Sequence, residues 1–280
     1  MSAAIIASFS VGPEMELSAK EFSYFSGLLR QVAGIHLAPA KMQLLQGRLR
    51  QRVLSLGLKS FAEYQHRLAA LSNGDPELQE FVNLLTTNKT EFFRECGHFE
   101  FLAQVLAQRN SPVRIWCAAS STGEEPYTLA ILLHHLGVAD FEIFASDIDT
   151  EVLSVAASAV YSREKLREIP EEYQKTAFDF GTKGIEDWMR VKPAIRRRVK
   201  FGQHNLIDPR LPANGLFDFV FCRNVLIYFT PETCEQIMNK LYQATKPGGM
   251  AFIGHSESLQ NMKTGWKPLR ASVYQRKSGK

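Results

Sequence analysis

The segment IWCAASSTGEEPY (residues 115–127) decides the fold class of this 280-residue chain. It continues an apolar run at residues 113–117, passes through a loop of small residues and ends at an acidic pair and a proline. A second apolar run of helical length, residues 127–136, follows it. A strand, a small-residue loop and a helix, in that order, are how an open α/β sheet presents backbone N–H groups to a nucleotide-like ligand.

The acidic pair Glu124 and Glu125 indicates which nucleotide-like ligand this loop binds. Two carboxylates at the start of a helix repel a phosphate group. They suit a ligand that carries hydroxyl groups and positive charge, such as S-adenosylmethionine. The segment therefore predicts a sulfonium cofactor in preference to a dinucleotide.

Composition narrows the class of protein. Hydrophobic residues at 45% and charged residues at 22% are ordinary for a soluble globular chain. No apolar run approaches the roughly 20 residues of a bilayer span, and residues 1–13 lack the basic region of a signal peptide. The four cysteines have no CxxC spacing, which suits a reducing cytoplasm and argues against structural zinc. A net charge of +4 does not by itself imply nucleic acid.

Apolar spacing divides the chain into segments. Helical spacing runs from residue 17 to about residue 71, and a further helix is predicted at 77–85. We expect a flexible tail over 1–16, an N-terminal helical domain over 17–85, a linker and helix over 86–112 that contribute to the cofactor site, and an α/β domain over 113–280.

The α/β domain is predicted from strands that alternate with helices. The predicted strands are 113–117, 141–145, 199–202, 217–222 and 250–254, with a closing strand pair within 266–276. This order predicts a mostly parallel sheet with an antiparallel edge and helices on both faces. Between residues 161 and 198 the alternation stops for longer than a typical connection lasts, so we expect a small insert there.

Asp147 supports the cofactor prediction, because it ends the second predicted strand. An acidic side chain at that position can accept both hydroxyls of a ribose. A lone aspartate after a strand is more often a helix N-cap, although Asp149 or Thr150 could supply that cap. Combined with the small-residue loop and Glu125, ribose binding is the better interpretation.

Five strings together resemble one family. "TTNKTEFFRE", "WCAASSTGEEPYTLA", "FASDIDTEVLSVA", "FCRNVLIYF" and "GGMAFIGHSESL" are similar, in order and in spacing, to the CheR family of chemotaxis receptor methyltransferases. The resemblance implies a Rossmann-like class I methyltransferase sheet, preceded by a small all-α domain and carrying a small β-subdomain. It also implies a protein-glutamate O-methyltransferase that uses S-adenosylmethionine to form glutamate 5-O-methyl esters on bacterial chemoreceptors.

The resemblance also assigns a site by position. Arg94 and Tyr228 are the family positions nearest the transferred methyl group. Glu125 and Asp147 would hold the amino-acid and ribose portions of the cofactor. The product is S-adenosylhomocysteine, and no metal is implied. The cofactor-binding positions are Asn88, Thr90, Arg94, Glu125, Asp147, Asn205, Leu206, Arg223 and Asn224.

Each assignment has a plainer alternative. Arg94 could pair on the surface with Glu91 or Glu95, and exposed pairs of this kind are worth little. Tyr228 could be a core tyrosine with one satisfied hydroxyl. Asn88 and Thr90 could cap a helix that opens at "EFFRE". Asn205 could be a turn residue, and His255 could be a structural histidine.

Two features predict how the partner is recognised. Lys41, Arg48 and Arg52 recur at helical intervals in "KMQLLQGRLRQR", where a charge run is usually a solvated face. With the family's substrate, a glutamate-bearing helical bundle, such a face becomes a substrate-binding surface. The insert at 161–198 corresponds to the family's β-subdomain, which in some members binds a receptor C-terminal peptide by β-augmentation. Tethering stays open here, because "FDFGTKGIEDWMRVKPAI" is less glycine-rich than in those members.

Two other classes of protein fit this sequence less well. A nucleic-acid amino-methyltransferase would place an Asn/Asp-Pro-Pro-aromatic tetrad where this chain has "RNVL" at residues 223–226, and no Pro-Cys nucleophile is present. A non-catalytic, cofactor-sensing protein would be expected to have lost some of the assigned site residues. We therefore expect a cytoplasmic enzyme, monomeric by default, with no nucleic-acid partner and no membrane insertion.

Overall fold

The computed structural model describes residues 15–72, 74–108, 111–211 and 217–277. The predicted tail over residues 1–16 lies almost entirely outside these ranges. Among the residues described, no helix has both the length and the apolar character that a bilayer span requires.

The N-terminal part is a bundle of four helices with its own apolar core. Ser18 and Glu21 form a reciprocal capping box at the start of the first helix, and Gly34 ends that helix in the left-handed conformation with φ 74°. Phe25, Leu49 and other apolar side chains pack between the helices, as the helical spacing predicted. The helices are α1 (Ala19–Ala33), α2 (Met42–Ser55), α3 (Phe61–Ala69) and α4 (Pro76–Leu85).

The C-terminal end of α1 packs directly against the α/β part. A Cβ atom at Gly34 would lie 2.5 Å from Ile207 Cγ2, so only glycine fits both the space and the positive φ. The Asn205 side chain donates to the Val32 carbonyl at 2.7 Å, and the backbone N–H of His36 donates to the Tyr228 carbonyl at 2.8 Å. The helical bundle therefore forms one wall of any site at this edge of the sheet.

The segment "EFFRE", which follows α4, is not the start of a helix, as one alternative for Asn88 and Thr90 required. No helix opens at "EFFRE", because residues 92–96 form turns with positive φ at Phe93 (52°) and Glu95 (57°). Phe92 is buried edge-on to Tyr161 and Phe178, with ring centroids 5.0 and 5.7 Å apart. This packing holds the segment irregular, and the next helix, α5 (Gly97–Leu106), begins only after it.

The remaining elements form a sheet covered on both faces, with a small second sheet. The helices are α6 (Glu124–His135), α7 (Thr150–Ser158), α8 (Glu171–Ala177), α9 (Pro193–Arg196) and α10 (Pro231–Ala244). The strands are β1 (Val113–Ala118), β2 (Phe141–Asp147), β3 (Val160–Ser162), β4 (Phe178–Phe180), β5 (Trp188–Val191), β6 (Val199–Gln203), β7 (Phe217–Cys222), β8 (Thr245–Ile253), β9 (Trp266–Arg270) and β10 (Val273–Arg276).

The large sheet has the strand order β6-β2-β1-β7-β8-β10-β9. Its first five strands pair in parallel, and β10 pairs antiparallel with both β8 and β9. Alternate residues of β1 enter different cores: Ile115 packs with α6, and Trp116 packs with α10. The predicted Rossmann-like, mostly parallel sheet with an antiparallel edge is confirmed.

One strand begins earlier than predicted. β8 starts at Thr245 instead of residue 250, so the Pro-Gly-Gly sequence at 247–249, which is typical of a turn, lies within the strand. Gly248 has φ 78°, and the register between β7 and β8 shifts between Phe217 and Phe219. A β-bulge accommodates the two glycines, so the strand continues through them.

The insert contains the expected small β-subdomain. Strands β3, β5 and β4 form a separate antiparallel sheet in that order. A hairpin joins β4 to β5, and Gly184 in its loop has φ 93°.

Candidate active site

A cavity of about 550 Å³ lies at the carboxyl ends of the central strands. It is bounded by the loop after β1, the end of β2, the segment after β7 and the C-terminal end of α1. Between β1 and β7 the chain order of the strands reverses, which is where open α/β sheets bind their ligands. The volume is typical of a small-molecule site.

The loop after β1 connects the sheet to the acidic pair. Ala119, Ser121 and Gly123 have positive φ, and a Cβ atom at Gly123 would lie 2.9 Å from Ala156 Cβ. The two glutamates of the pair then take different directions. Glu124 is buried against Lys165 at 2.9 Å, outside the cavity, whereas Glu125 lines the cavity.

Asp147 ends β2 at the cavity and is 7% exposed. Its Oδ2 accepts the Ser121 N–H at 2.8 Å and its Oδ1 accepts the Asp149 N–H at 3.0 Å. Burial raises the pKa of Asp147, and these backbone hydrogen bonds oppose that rise. Asp149 caps α7 by accepting from Glu151 and Val152 N–H groups. Each Asp147 oxygen therefore keeps a lone pair for a ligand hydroxyl.

Arg223 lies between two carboxylates at the end of β7. Its Nη1 is 2.8 Å from Glu125 Oε2, and its Nη2 is 3.0 Å from Glu95 Oε2. Its side chain is only 2% exposed. Burial opposes ionisation of Glu95, but hydrogen bonds from Asn224 and Arg223 outweigh it and lower the pKa of Glu95 to about 2. Burial raises the pKa of Glu125, and the charge of Arg223 opposes that rise.

Of the two carboxylates that Arg223 bridges, Glu125 lines the cavity, and Asp147 supplies a second carboxylate to the same lining. Two polar atoms of its lining, Arg223 Nε and Ser120 Oγ, are buried without a partner among the described residues. Buried polar groups normally have partners. The carboxylates of Glu125 and Asp147 suit a ligand that carries positive charge and hydroxyl groups, so this part of the lining fits S-adenosylmethionine.

Arg94 and Tyr228 face the same cavity. Arg94 Nη1 donates to the Lys89 carbonyl at 3.1 Å and forms no ion pair with any described residue, while Glu95 pairs with Arg223. Tyr228 ends a short 3₁₀ helix and is half-buried. Among the described residues, Arg94 is therefore not part of a surface ion pair, and Tyr228 is not a fully buried core tyrosine.

Asn88 and Thr90 line the cavity from the linker. The Asn88 side-chain amide donates to Asp149 Oδ2 at 2.7 Å, and its backbone carbonyl accepts from Ser121 Oγ at 3.0 Å. These bonds attach the linker to the sheet. Neither residue caps a helix at "EFFRE", since that segment is a series of turns.

Asn205, Leu206 and Asn224 complete the assigned lining. Asn205 is a turn residue, which was the plainer alternative considered for it, because its Oδ1 accepts the Ile207 N–H at 3.2 Å. Its Nδ2 also binds α1, so the turn joins the two parts of the chain. Asn224 has φ 56° and donates from Nδ2 to Glu95 Oε1 at 3.1 Å.

The three basic residues of the helical part separate into two groups. Lys41 and Arg48 line the cavity, and Arg48 Nη1 donates to the Thr86 carbonyl at 2.6 Å. Arg52 lies outside the cavity lining and forms an ion pair with Glu77 at 2.6 Å. The structure thus brings two of the three predicted substrate-binding cations to the site and places Arg52 inside the bundle.

Comparison with known sequences decides the family. A domain described as "CheR methyltransferase, SAM binding domain" matches residues 88–275, and "CheR methyltransferase, all-alpha domain" matches residues 20–86. The chain belongs to the CheR family.

Curated relatives agree with this family. The chain is similar to the chemotaxis protein methyltransferase of Salmonella typhimurium, with 41% identity over 89% of this chain and 87% of the relative. It is 40% identical to that of Escherichia coli over 93% and 92%, and 42% identical to chemotaxis protein methyltransferase 2 of Pseudomonas aeruginosa over 88% and 89%. This CheR family member therefore has the family's SAM-binding domain.

The sequence analysis missed three residues that shape this CheR site. Glu95 binds Arg223 and Asn224, although it was considered only as a partner of Arg94. Glu257 accepts three backbone N–H groups at 2.6–3.0 Å and so holds the segment after β7. Its position in "GHSESL" did not reveal this, because the partners are distant in sequence.

Lys240 is the third. Its Nζ donates to the Leu206 and Asp208 carbonyls at 2.5 and 2.6 Å, on the far side of the loop that borders the cavity. The available signal was a lysine on the apolar face of α10, beside Ile237 and Leu241.

Proposed function

We propose that this CheR family member transfers the methyl group of S-adenosylmethionine to glutamate side chains of bacterial chemoreceptors, forming glutamate 5-O-methyl esters. One observation carries the proposal. Every residue assigned to the cofactor or to catalysis lines a single cavity, and Lys41 and Arg48 of the helical bundle line it too. A cofactor site and a basic, partner-facing surface therefore meet at one opening.

The chain's own groups divide the cofactor between them. Asp147 has lone pairs free for the two ribose hydroxyls, and Asn205 and Leu206 border the adenine. Glu125, which is held by Arg223, supplies a carboxylate near the amino-acid portion. S-adenosylmethionine supplies the electrophilic methyl group.

The acceptor needs no general base. A glutamate side chain has a pKa near 4.3 and is already a carboxylate at neutral pH. A new bond forms between its oxygen and the methyl carbon, the sulfur–carbon bond breaks, and S-adenosylhomocysteine leaves with the electron pair. The enzyme's part is alignment, which can supply roughly 7–11 kcal/mol. Arg94 and Tyr228 orient the acceptor and shape the methyl pocket.

Water exclusion adds to alignment. The sulfonium and the carboxylate lose their charges as the methyl group is transferred, so a pocket that strips water from both favours the reaction. The apolar side chains of Leu44 and Ile227, which are exposed at the cavity in the free protein, would be covered by an incoming receptor helix.

Partner recognition follows from charge and from the β-subdomain. Lys41 and Arg48 attract the acidic surface of a glutamate-bearing helical bundle. The small sheet has two open edges, β3 and β4, at which a receptor C-terminal peptide can add as a strand. We further propose that the enzyme acts as a cytoplasmic monomer, without nucleic acid and without inserting into the membrane.

A labelled-methyl assay tests the proposal. Purified protein is incubated with methyl-labelled S-adenosylmethionine and either receptor-containing membranes or nucleic acid. Label on the receptor that is released by base supports a glutamate ester. Base-stable label on RNA or DNA would instead establish a nucleic-acid methyltransferase, and the absence of transfer despite cofactor binding would establish a sensing or docking protein.

A further inference from the structure

Three side chains with metal-binding atoms meet behind Arg223. Glu95, His98 and His255 each offer one such atom, and the three atoms lie within 4.8 Å of one another. Glu95 Oε2 is 3.7 Å from His98 Nδ1 and 3.9 Å from His255 Nε2. Glu95 and His98 lie on either side of the start of α5, and His255 follows β8.

His98 has an unpartnered ring nitrogen at this point. Its Nε2 lies 2.7 Å from Ser272 Oγ, and that hydroxyl can donate to the Ala271 carbonyl at 2.8 Å. In the tautomer that donates from Nε2 to Ser272, Nδ1 has a lone pair for a metal ion. His98 is 3% exposed, and Nδ1 has no hydrogen-bond partner among the described residues.

A plain ring contact does not account for this lone pair. His98 and His255 meet edge to face with centroids 4.8 Å apart, which packs the rings but leaves Nδ1 unpaired. An unsatisfied buried acceptor costs about 1–3 kcal/mol. A histidine that binds a metal through one nitrogen usually donates its other N–H to a nearby acceptor, which is the arrangement of His98 with Ser272.

We propose that Glu95, His98 and His255 bind a divalent transition metal of borderline character, such as Zn²⁺. Two imidazole nitrogens and one carboxylate oxygen are a three-ligand set with a fourth position left to solvent. For bonds of about 2.1 Å in tetrahedral geometry, ligand atoms lie roughly 3.4 Å apart. The observed separations reach 4.8 Å, so the site closes by a movement of roughly 1.4 Å, which His255 can make because its side chain is 54% exposed.

The metal site shares a carboxylate with the cofactor cavity. Glu95 Oε2 already accepts from Arg223 Nη2 at 3.0 Å and from the His255 backbone N–H at 3.2 Å. A carboxylate oxygen has two lone pairs, so the metal displaces one of these donors. Whichever donor leaves, a divalent cation on Glu95 Oε2 draws negative charge from that carboxylate and weakens its hold on Arg223, so the two sites are thermodynamically coupled.

Metal titration of the untagged full-length protein tests the site. We expect one equivalent of Zn²⁺ by calorimetry, and a visible absorption band with Co²⁺ that Zn²⁺ removes. His255→Ala, an exposed position, should weaken binding about ten-fold or more. His134→Ala, an exposed histidine outside the cluster, and Cys96→Ser, the exposed neighbouring thiol, should bind like the wild type.

Two results would overturn the site. One is unchanged Zn²⁺ affinity in His255→Ala, and the other is loss of binding in Cys96→Ser. The coupling has its own readout, because saturating Zn²⁺ should weaken S-adenosylhomocysteine binding by about five-fold or more. Equal affinity with and without Zn²⁺ would overturn the sharing of Glu95. Neither readout depends on methyl transfer, so the outcome is independent of the proposed substrate.

Discussion

The guanidinium of Arg223 and the carboxylate of Glu125 form an ion pair at 2.8 Å that joins the end of β7 to the start of α6. Both groups line the cofactor cavity, and Glu95 binds the other arm of the same guanidinium. A buried pair of this kind does little for stability by itself. Its consequence here is electrostatic, because it fixes the carboxylate of Glu125, and with it a negative charge, at the cavity.

This charge predicts how the cavity distinguishes the two cofactor forms. Glu125→Gln should weaken S-adenosylmethionine binding more than S-adenosylhomocysteine binding, because only the former carries the sulfonium charge. The differential is on the order of 1 kcal/mol, or about five-fold. Calorimetric titration with both ligands measures it. Glu124→Gln is the matched control, since Glu124 faces Lys165 and should leave the ratio unchanged. Equal losses for both ligands would contradict the electrostatic role.

Arg94→Ala and Tyr228→Phe should each lower kcat/KM for receptor methylation about 100-fold through misalignment of the acceptor. S-adenosylhomocysteine affinity should change by only a few-fold in Tyr228→Phe. Tyr24→Phe, in the helical bundle away from the cavity, is the control. Wild-type turnover in both site variants, with normal cofactor affinity, would show that the two residues do not position the acceptor.

Lys41→Glu and Arg48→Glu should slow receptor methylation at low salt about ten-fold and leave cofactor binding intact, because they reverse charge at the cavity mouth. The wild-type rate should fall as salt rises, and the variants should depend less on salt. Lys20→Glu, exposed on α1, serves as the control for charge reversal elsewhere on the bundle. Identical rates and salt dependence in all three variants would exclude an electrostatic docking surface there.

Arg52 should behave differently from Lys41 and Arg48. Its partner Glu77 is 7% exposed and also accepts from the Tyr64 hydroxyl at 2.8 Å. Burial favours the neutral acid, but hydrogen bonds from Arg52 and Tyr64 outweigh it and lower the pKa of Glu77. Arg52→Ala should therefore cost about 2–3 kcal/mol of unfolding free energy in urea, at the low end for a buried pair because Arg52 is partly exposed. A loss of methylation with unchanged stability would instead indicate that Arg52 belongs to the substrate-binding surface.

Lys240 predicts a pH-dependent contribution to stability. Burial lowers the pKa of Lys240 from its ordinary 10.5 to about 8, opposed by Asp208 and Cys222, and His204 Nε2 lies 3.3 Å from its Nζ. Between pH 8 and 10.5 the unfolded chain binds a proton that the folded chain does not. The unfolding free energy of the wild type relative to Lys240→Met should therefore rise with pH over this window. A difference that stays flat from pH 8 to 10.5 would mean that the pKa of Lys240 is not lowered.

Local sequence was sufficient for the elements that repeat a simple period. The strand at 217–222 was predicted with its observed bounds, because an apolar run, here broken only by Asp218, is typical of a buried parallel strand. Gly34 directly follows an apolar run of helical spacing, the position typical of a C-terminal cap, and it caps α1 with positive φ. The strand–loop–helix at 115–127 and its acidic residues likewise follow from neighbouring positions alone.

Other features required contacts between distant residues. The segment "EFFRE" looks helical by composition, but burial of Phe92 against Tyr161 and Phe178 holds it as turns. The bulge that admits residues 247–249 into β8 depends on its pairing with β7. Periodicity within a window does not report such packing.

By itself, the sequence determined the sheet and the helical bundle through short-range spacing, and the family through the resemblance of its motifs, which also supplied the residues proposed for the cofactor. Only the tertiary structure decided that Arg223 bridges Glu125 and Glu95, that Arg52 pairs with Glu77 inside the bundle, and that Lys240 and Glu257 hold the cavity's loops. The reason is that an ion pair forms between charged groups that the fold buries next to each other, whatever their separation in sequence. That partner lies 98 residues away for Arg223 and Glu125, beyond the reach of any local pattern.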